Sequence, residues 1–429
     1  MNDPVRLRIR TLATGGDAVG HPVDTAGDTP ATWFLPDALP GELVLAEPVQ
    51  RARKHVVARV TEVLEPSPAR VTPPCPWAGE CGGCQWQHIA AGEQSALKLG
   101  IVRDALRAFA VAPVLADVAN PREGLNYRRR ARLHYTRGDD GLALGFHRRR
   151  SNEVVDIPRC AVLLPPLRHA IDRLRAAAAV LPEQGEVHAL CDGQYVVLGL
   201  PGVRDTKENR AALEACLDRV LVGIELRGGR ARAKIGECLL EIDGSAAVPG
   251  VVASAFSFAQ ARADVNRVLV RHVVVRAKPH GKRVLELYAG GGNFTRALAK
   301  VATRVWTCDD DRESVSLLRK LAVEHDLPIN AKHGDVAALL PRIAEGESRY
   351  EVVVADPPRA GLGQGPARAL ARIATERIVL VACDVSTLAR DLAVLVKHGW
   401  AIADVTVFDM MPMTPEVEVV VTLLPKAAA

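Results

Sequence analysis

No run of apolar residues in this chain of 429 residues approaches the length that spans a bilayer, so a membrane-embedded protein is not expected. The first twenty residues, MNDPVRLRIRTLATGGDAVG, alternate charged and apolar positions. They lack the continuous apolar core of a secretory leader, which points to a cytoplasmic protein with no membrane partner. No internal repeat and no low-complexity tract is present, which sets repeat architectures aside. Net charge is only +5, too little for a uniformly basic surface.

What is present is unevenly placed. Arginine gathers in RARK at 51–54, YRRRAR at 127–132 and FHRRR at 146–150, clusters suited to a polyanion such as RNA. Nine cysteines in a cytoplasmic chain argue for a metal site or a reactive thiol rather than a disulfide framework. The length exceeds that of one compact domain, and a hydrophobic content of 48% is ordinary for a globular protein, so two or three domains are expected.

Short alternating stretches (VRLRIRTL, ATWFLPDAL, ELVLAEPV, HVVARVTEVL) separated by glycine and proline turns predict a small antiparallel barrel over 1–65. Residues 66–255 follow as a mixed α+β region, opening on the proline-rich EPSPARVTPP and the cysteine-rich CPWAGECGGCQWQH. From 256 to 429, helical and strand-like runs alternate in the rhythm of an α/β domain with a mostly parallel, Rossmann-like sheet.

In that last region RVLELYAGGGNFTRALA reads as a buried strand, a glycine turn and a helix. The dinucleotide fingerprint fails because its sixth position, counted from Gly290, is Thr295. Asp309, ending the next strand about twenty residues on, suits ribose hydroxyls, so an adenosyl ligand without phosphates is favoured. VVVADPPRAG places Asp356 at a strand end pointing into the same cleft, stiffened by two prolines. Enzymes that methylate amino groups carry an aromatic residue after such a motif, whereas Arg359 stands here. One strand later Cys383 precedes a helix whose N-terminal dipole would stabilise a thiolate, the place for a nucleophile. DMMPMTPEVE supplies Glu416 and Glu418 as candidate bases, and period 2 puts both on one side of a strand without choosing between them.

Cys75, Cys81 and Cys84 follow C-x5-C-x2-C spacing, which lets three thiolates converge on one metal centre. Cys160, in VVDIPRCAVL, is a fourth candidate for an iron–sulfur cluster, and His88 a fourth candidate for zinc. The C-x3-C-x2-C spacing of radical enzymes is absent.

TGGDAVGHP, the cysteine segment with Cys160, YRRRARL, FAQARADVN, LELYAGGGNFT, DPPRAG, CDVSTLARDL and DMMPMTPEVE occur in one order along nearly the whole chain. In this the sequence resembles the uracil-5 RNA methyltransferases, specifically the 23S ribosomal RNA branch with an N-terminal TRAM barrel, OB-like in build, and a 4Fe-4S cluster. The resemblance implies that Cys75, Cys81, Cys84 and Cys160 hold the cluster in a structural role. It implies that Gln260, Tyr288, Asn293, Asp309, Asp335 and Asp356 line an S-adenosylmethionine site, with Cys383 as nucleophile and Glu418 rather than Glu416 as base. It also implies a monomer acting on ribosomal RNA, with transfer RNA methylation and non-catalytic RNA binding as alternatives. The tyrosine and arginines of YRRRAR are expected to hold the target uridine, so that Arg129→Ala weakens RNA binding and spares cofactor affinity. The chain departs from the family where Cys-Asn-Pro becomes Cys383, Asp384 and Val385, and where the Pro-His-Thr-x-His-x-Glu ending becomes PMTPEVE.

Overall fold

The computed structural model describes residues 4–23, 31–118, 124–139, 141–229, 231–346 and 348–426. Five strands, β1 (Val5–Leu12), β2 (Ala18–Pro22), β3 (Thr32–Leu35), β4 (Leu43–Arg51) and β5 (His55–Glu65), close into a barrel in the order β1-β2-β3-β5-β4. An odd number of strands cannot alternate direction all the way round. One seam, β3 with β5, is therefore parallel, which corrects the all-antiparallel expectation. Leu7, Ile9, Trp33, Leu35 and Val44 fill the barrel core, joined by Trp86, Ile89 and Ile101 from the chain that follows.

The middle of the chain runs through α1 (Ala91–Ala105), β6 (Val114–Leu115), β7 (Arg130–Gly138), β8 (Gly141–His147), β9 (Val154–Asp156), α2 (Pro165–Arg175), β10 (Gln184–Cys191), β11 (Val196–Pro201), α3 (Lys207–Glu214), β12 (Leu221–Gly228) and β13 (Ala231–Gly236). Seven of these strands form one sheet, ordered β13-β12-β11-β10-β7-β8-β9. Leu133, Val187, Leu198 and Leu226 of the sheet share a core with Leu167 and Leu174 of α2 and Leu213 of α3. A short hairpin, β14 (Leu240–Ile242) with β15 (Val251–Ala253), leads to the last unit.

That unit comprises α4 (Ala263–Ala277), β16 (Arg283–Leu287), α5 (Thr295–Ala299), β17 (Arg304–Asp309), α6 (Arg312–Glu324), β18 (Ile329–His333), α7 (Val336–Glu345), β19 (Tyr350–Ala355), α8 (Gln364–Ile373), β20 (Ala374–Ala382), α9 (Val385–Lys397), β21 (Trp400–Phe408) and β22 (Glu418–Pro425). Its sheet is ordered β18-β17-β16-β19-β20-β22-β21-β6, parallel except for β22, which runs against both neighbours. Val352–Ala355 and Ile378–Ala382 are apolar without a break, as strands covered on both faces must be. Strand order reverses between β16 and β19, the switch point where open α/β sheets bind ligands at their carboxyl edge. The eighth strand, β6, and helix α1 come from far upstream. Val102 and Leu106 of α1 pack in the same core as Val405, Val407 and Val421.

Candidate active site

β16 ends at Leu287, and Tyr288 follows with φ +61°, a conformation uncommon for a bulky side chain. Its N–H donates to the Cys308 carbonyl of β17 at 2.9 Å, turning the chain out of the sheet. At Gly292, φ +93°, an added Cβ would lie 2.6 Å from Leu318, so this loop reaches α6 only because no side chain stands there. Asp309, at the end of β17, accepts the Gly290 N–H at 2.7 Å on one oxygen and the Asp311 N–H at 2.8 Å on the other. A second lone pair on each remains for hydroxyl donors. Asp335, which follows β18, is exposed and caps α7 by accepting the Ala337 N–H at 2.8 Å.

Asn293 and Asn266 exchange side-chain amide hydrogen bonds of 2.9 and 3.0 Å. Asn266 also donates to Asp243 at 2.8 Å, and Asp243 takes a bidentate pair from Arg129 at 2.8 and 2.6 Å. Arg129 Nε donates to the Gln260 carbonyl at 2.8 Å. This buried chain links the glycine turn and Gln260 to the central sheet. It also overturns the expectation that Arg129 meets RNA, because Arg129 is 1% exposed and committed to Asp243. Tyr127 is likewise buried, donating its hydroxyl to the Pro412 carbonyl at 2.9 Å, and is not available to a base.

Beyond the glycine turn the cleft is acidic. Burial, with the charge of Asp309 beside it, raises Asp356 to about 7. Glu286, inside β16 and 1% exposed, is raised to about 8 by burial, against the pull of Thr295 beside it, with Asp356 and Asp309 adding to the rise. Sequence reading passed over Glu286, although a glutamate within the otherwise apolar VLEL was the signal. Glu418, the first residue of β22, is buried with Oε1 unpartnered, and burial, then Asp356 and Glu416, raises it well above its usual range. Glu416 instead pairs with Arg359. Carboxyls crowded this way repel phosphate and suit a cation.

Cys383 leaves β20 into this group. Burial, then Glu418 and Asp356, pushes its thiol up to about 12, against the pull of Arg359. The expected depression by the dipole of α9 is therefore overturned. Asp384 caps that helix itself, accepting the Thr387 N–H at 2.8 Å, and burial, with the acidic neighbours added, sets the thiol's direction. The DPPRAG turn is fastened beside the thiol. Asp391 accepts the Leu362 and Gly363 N–H groups at 2.6 and 3.1 Å, and Thr387 donates to the Arg359 carbonyl at 3.0 Å.

Glu416 also borders a second region, a cleft of about 670 Å³ lined by Arg128, Arg130, Arg132, Arg148, Arg149, Arg150, His134 and His147. Arg128, Arg130, Arg132 and His134, alternate residues along this stretch, face the cleft, while Arg129 faces the opposite way, as strand alternation requires. Here two of the three arginine clusters seen in the sequence meet.

Cys75, Cys81, Cys84 and Cys160 line one pocket beside Arg128 and Phe146. Burial raises Cys81 to about 11 and Cys84 to about 12, and the neighbouring sulfurs add to both. Thiolates gathered there need a cationic centre between them, which fits a group held by four cysteines. Among the described residues no three His, Cys, Asp or Glu side chains are placed to hold a single metal ion. His88 does not line the pocket. It lies among Asp37, Arg70 and Glu42 instead, apart from the four cysteines, which disfavours it as the zinc ligand of the alternative reading.

A parallel sheet with a carboxyl-edge glycine turn, ribose-type aspartate, acidic cleft and edge cysteine defines a class of methyltransferase. Residues 240–332 and 339–426 match the family model described as tRNA (Uracil-5-)-methyltransferase. The chain is 33% identical to the 23S rRNA (uracil(1939)-C(5))-methyltransferase RlmD of Chromohalobacter salexigens, over 96% of this chain and 87% of that protein. It is 31% identical to the RlmD of Pseudomonas aeruginosa, over 96% and 92%. Among solved structures it resembles the Pyrococcus abyssi tRNA (uracil-54, C5)-methyltransferase in complex with S-adenosyl-L-homocysteine, with a TM-score of 0.75 and 23% identity, over 98% of this chain and 99% of that one. The chain belongs to the uracil-5 RNA methyltransferase family.

Proposed function

We propose that this protein methylates C5 of a uridine in 23S ribosomal RNA by way of a transient bond between Cys383 and C6. The observation that carries the reading is the meeting of a buried acidic cleft and an arginine-lined cleft at Glu416, which lines the second and acts electrostatically on both Cys383 and Glu418 in the first. S-adenosylmethionine supplies an electrophilic methyl group on a positively charged sulfur. Gln260, Tyr288, Asn293, Asp309, Asp335 and Asp356 hold it in the acidic cleft, with Glu286 adding buried charge. A cation bound there lowers the carboxyls and the thiol together, so Cys383 loses its proton only when the donor is in place.

The arginine cleft holds RNA through its phosphates and receives the uridine flipped from its stack. The Cys383 thiolate adds to C6 of the uracil, and the electron pair displaced towards C5 takes the methyl group. Glu418 then removes the C5 proton, the C5–C6 double bond re-forms and the thiolate leaves. Glu416 is held by Arg359, whereas Glu418 has an oxygen free of protein partners, which favours Glu418 as the base. Cys75, Cys81, Cys84 and Cys160 hold a 4Fe-4S cluster that cross-links the segment at 75–84 to Cys160. One chain supplies every group, in keeping with a cytoplasmic monomer.

Incubation with methyl-labelled S-adenosylmethionine and unmodified 23S RNA places label in 5-methyluridine, and Cys383→Ala abolishes it. Label in transfer RNA alone would assign the other substrate class, and no label in either would leave an RNA-binding protein. Iron and acid-labile sulfide in the purified protein, lost in Cys160→Ala, test the cluster.

A further inference from the structure

The connection between β21 and β22 runs from Asp409 to Val417, carries Glu416 and delivers Glu418 to the site. Glu418 pairs across the sheet with Phe408, so the path of this loop fixes where β22 begins. Met413, in its middle, is held at φ +65°, a strained conformation for methionine. The groups that hold it there come from the other end of the chain.

Helix α1 presents Gln94, Ser95 and Lys98 to the loop, a spacing that puts them on one face. Gln94 Oε1 accepts the Met413 N–H at 2.7 Å, and Gln94 Nε2 donates to Met413 Sδ at 3.3 Å. Lys98 Nζ donates to Asp409 Oδ1 at 2.5 Å and to the Met411 carbonyl at 2.9 Å, and Ser95 Oγ to Asp409 Oδ2 at 3.2 Å. The Trp86 N–H donates to the Met413 carbonyl at 2.9 Å. Gln94 and Lys98 are both 0% exposed.

A buried lysine is an expensive means of docking a helix, and α1 already docks through Val102 and Leu106. What apolar packing cannot do is set a loop's path at both ends and in the middle. Gln94 takes the middle and Lys98 the start.

We propose that Gln94 and Lys98 are positioning residues for proton abstraction, fixing the Asp409–Val417 loop so that Glu418 meets the C5 proton of the methylated adduct. The inference rests on the reaction proposed above. In the step concerned Glu418 takes the proton, the C–H electron pair restores the C5–C6 double bond, and the C6–S bond breaks to return the Cys383 thiolate. Thiolate addition and methyl transfer precede it and use α1 not at all.

With the full-length protein, unmodified 23S RNA and methyl-labelled S-adenosylmethionine, Lys98→Met and Gln94→Leu accumulate a denaturant-stable, labelled protein–RNA adduct. Its formation stays within about threefold of wild type, while release of 5-methyluridine RNA slows about a hundredfold, the scale of one general base. Asp409→Asn, which keeps side-chain volume, gives the same pattern and serves where Lys98→Met fails to fold. Adduct formation and release falling together, or release unchanged, would overturn the positioning role. A parallel incubation with 5-fluorouridine RNA separates the two readings, because it traps the nucleophile whatever the base does. No Cys383-dependent trap in wild type overturns the reaction itself, whereas a trap in wild type with unslowed variants overturns only the part played by α1.

Discussion

The acidic cleft and the arginine cleft share a border at Glu416, yet they are built by opposite means. Burial raises Glu286, Asp356 and Glu418, with Asp309 acting on the first two and Asp356 on both glutamates, and Glu418 keeps an oxygen with no partner. The arginines across the border are mostly satisfied at the surface: Arg149 and Arg150 pair with Asp17, and Arg132 with Glu186. The first region holds carboxyls that keep their protons in a dry place, where an arriving cation gains most by drawing those protons off. The second presents charge in water, where it attracts a long polyanion and is screened by salt. A reaction between a cationic methyl donor and an anionic polymer needs both, and it needs them apart except at the reacting atoms.

The comparison breaks most completely at the border itself. Cys383→Ala should lower methyl transfer by more than about ten-thousandfold while leaving RNA retention on filters and donor binding by calorimetry close to wild type. Next in size is the link behind the border. Arg129→Met strands Asp243 in the interior, so about 3–5 kcal/mol of stability should be lost in denaturant titration. Donor affinity should fall more than RNA affinity, because Asn266 and Asn293 lose their anchor; the reverse order would return Arg129 to the RNA cleft.

The donor's charge gives a third test, of about tenfold. Asp356 is raised to about 7 and Glu286 to about 8, so both are largely protonated at pH 6 and would be charged beneath a bound cation. Binding therefore releases protons and tightens as pH rises from 6 to 8, by about tenfold for one such group. S-adenosylhomocysteine, whose sulfur is neutral, should lack this slope, and Asp356→Asn should flatten it for the donor. Stability runs the other way. A carboxyl raised on folding costs nothing below its unfolded pKa of about 4, and the cost grows until pH passes the folded value. The empty protein should lose stability towards pH 8, read as a falling melting temperature. Smallest is removal of one surface arginine. Arg132→Ala should weaken RNA binding about three- to tenfold and reduce the salt slope by about one, with donor affinity unmoved.

Much of the acidic side was legible in sequence because its groups lie in short strand-end motifs. LELYAGGGN, the aspartate ending RVWTCD and ADPPRAG each carry their geometry within a few residues. Cys383 was read at a strand's carboxyl edge, but its raised pKa was not, since the burial that lifts it comes from tertiary packing and the carboxyls beside it come from the end of β19 and from β22 with the loop before it. Arg129 was misread for want of one step: alternation along YRRRAR sends it away from Arg128 and Arg130. Gln94 and Lys98 gave no local sign, because α1 has only a weak apolar face and their partners lie 319 and 311 residues downstream. The parallel seam of the barrel follows only from counting strands around the closure.

The long reach of α1 and β6 has a consequence for synthesis. β6 pairs with β21, and α1 holds the loop that follows β21, so both wait for the last part of the chain to be made. The strands of the barrel and of the seven-stranded sheet pair within residues 5–65 and 130–236, so their ladders can form as those residues emerge from the ribosome. For an interval in every round of translation the chain thus carries the arginines at 128–150 without the loop that completes their cleft. On the reaction proposed above, a polypeptide interrupted in that interval lacks its base and is not yet a catalyst.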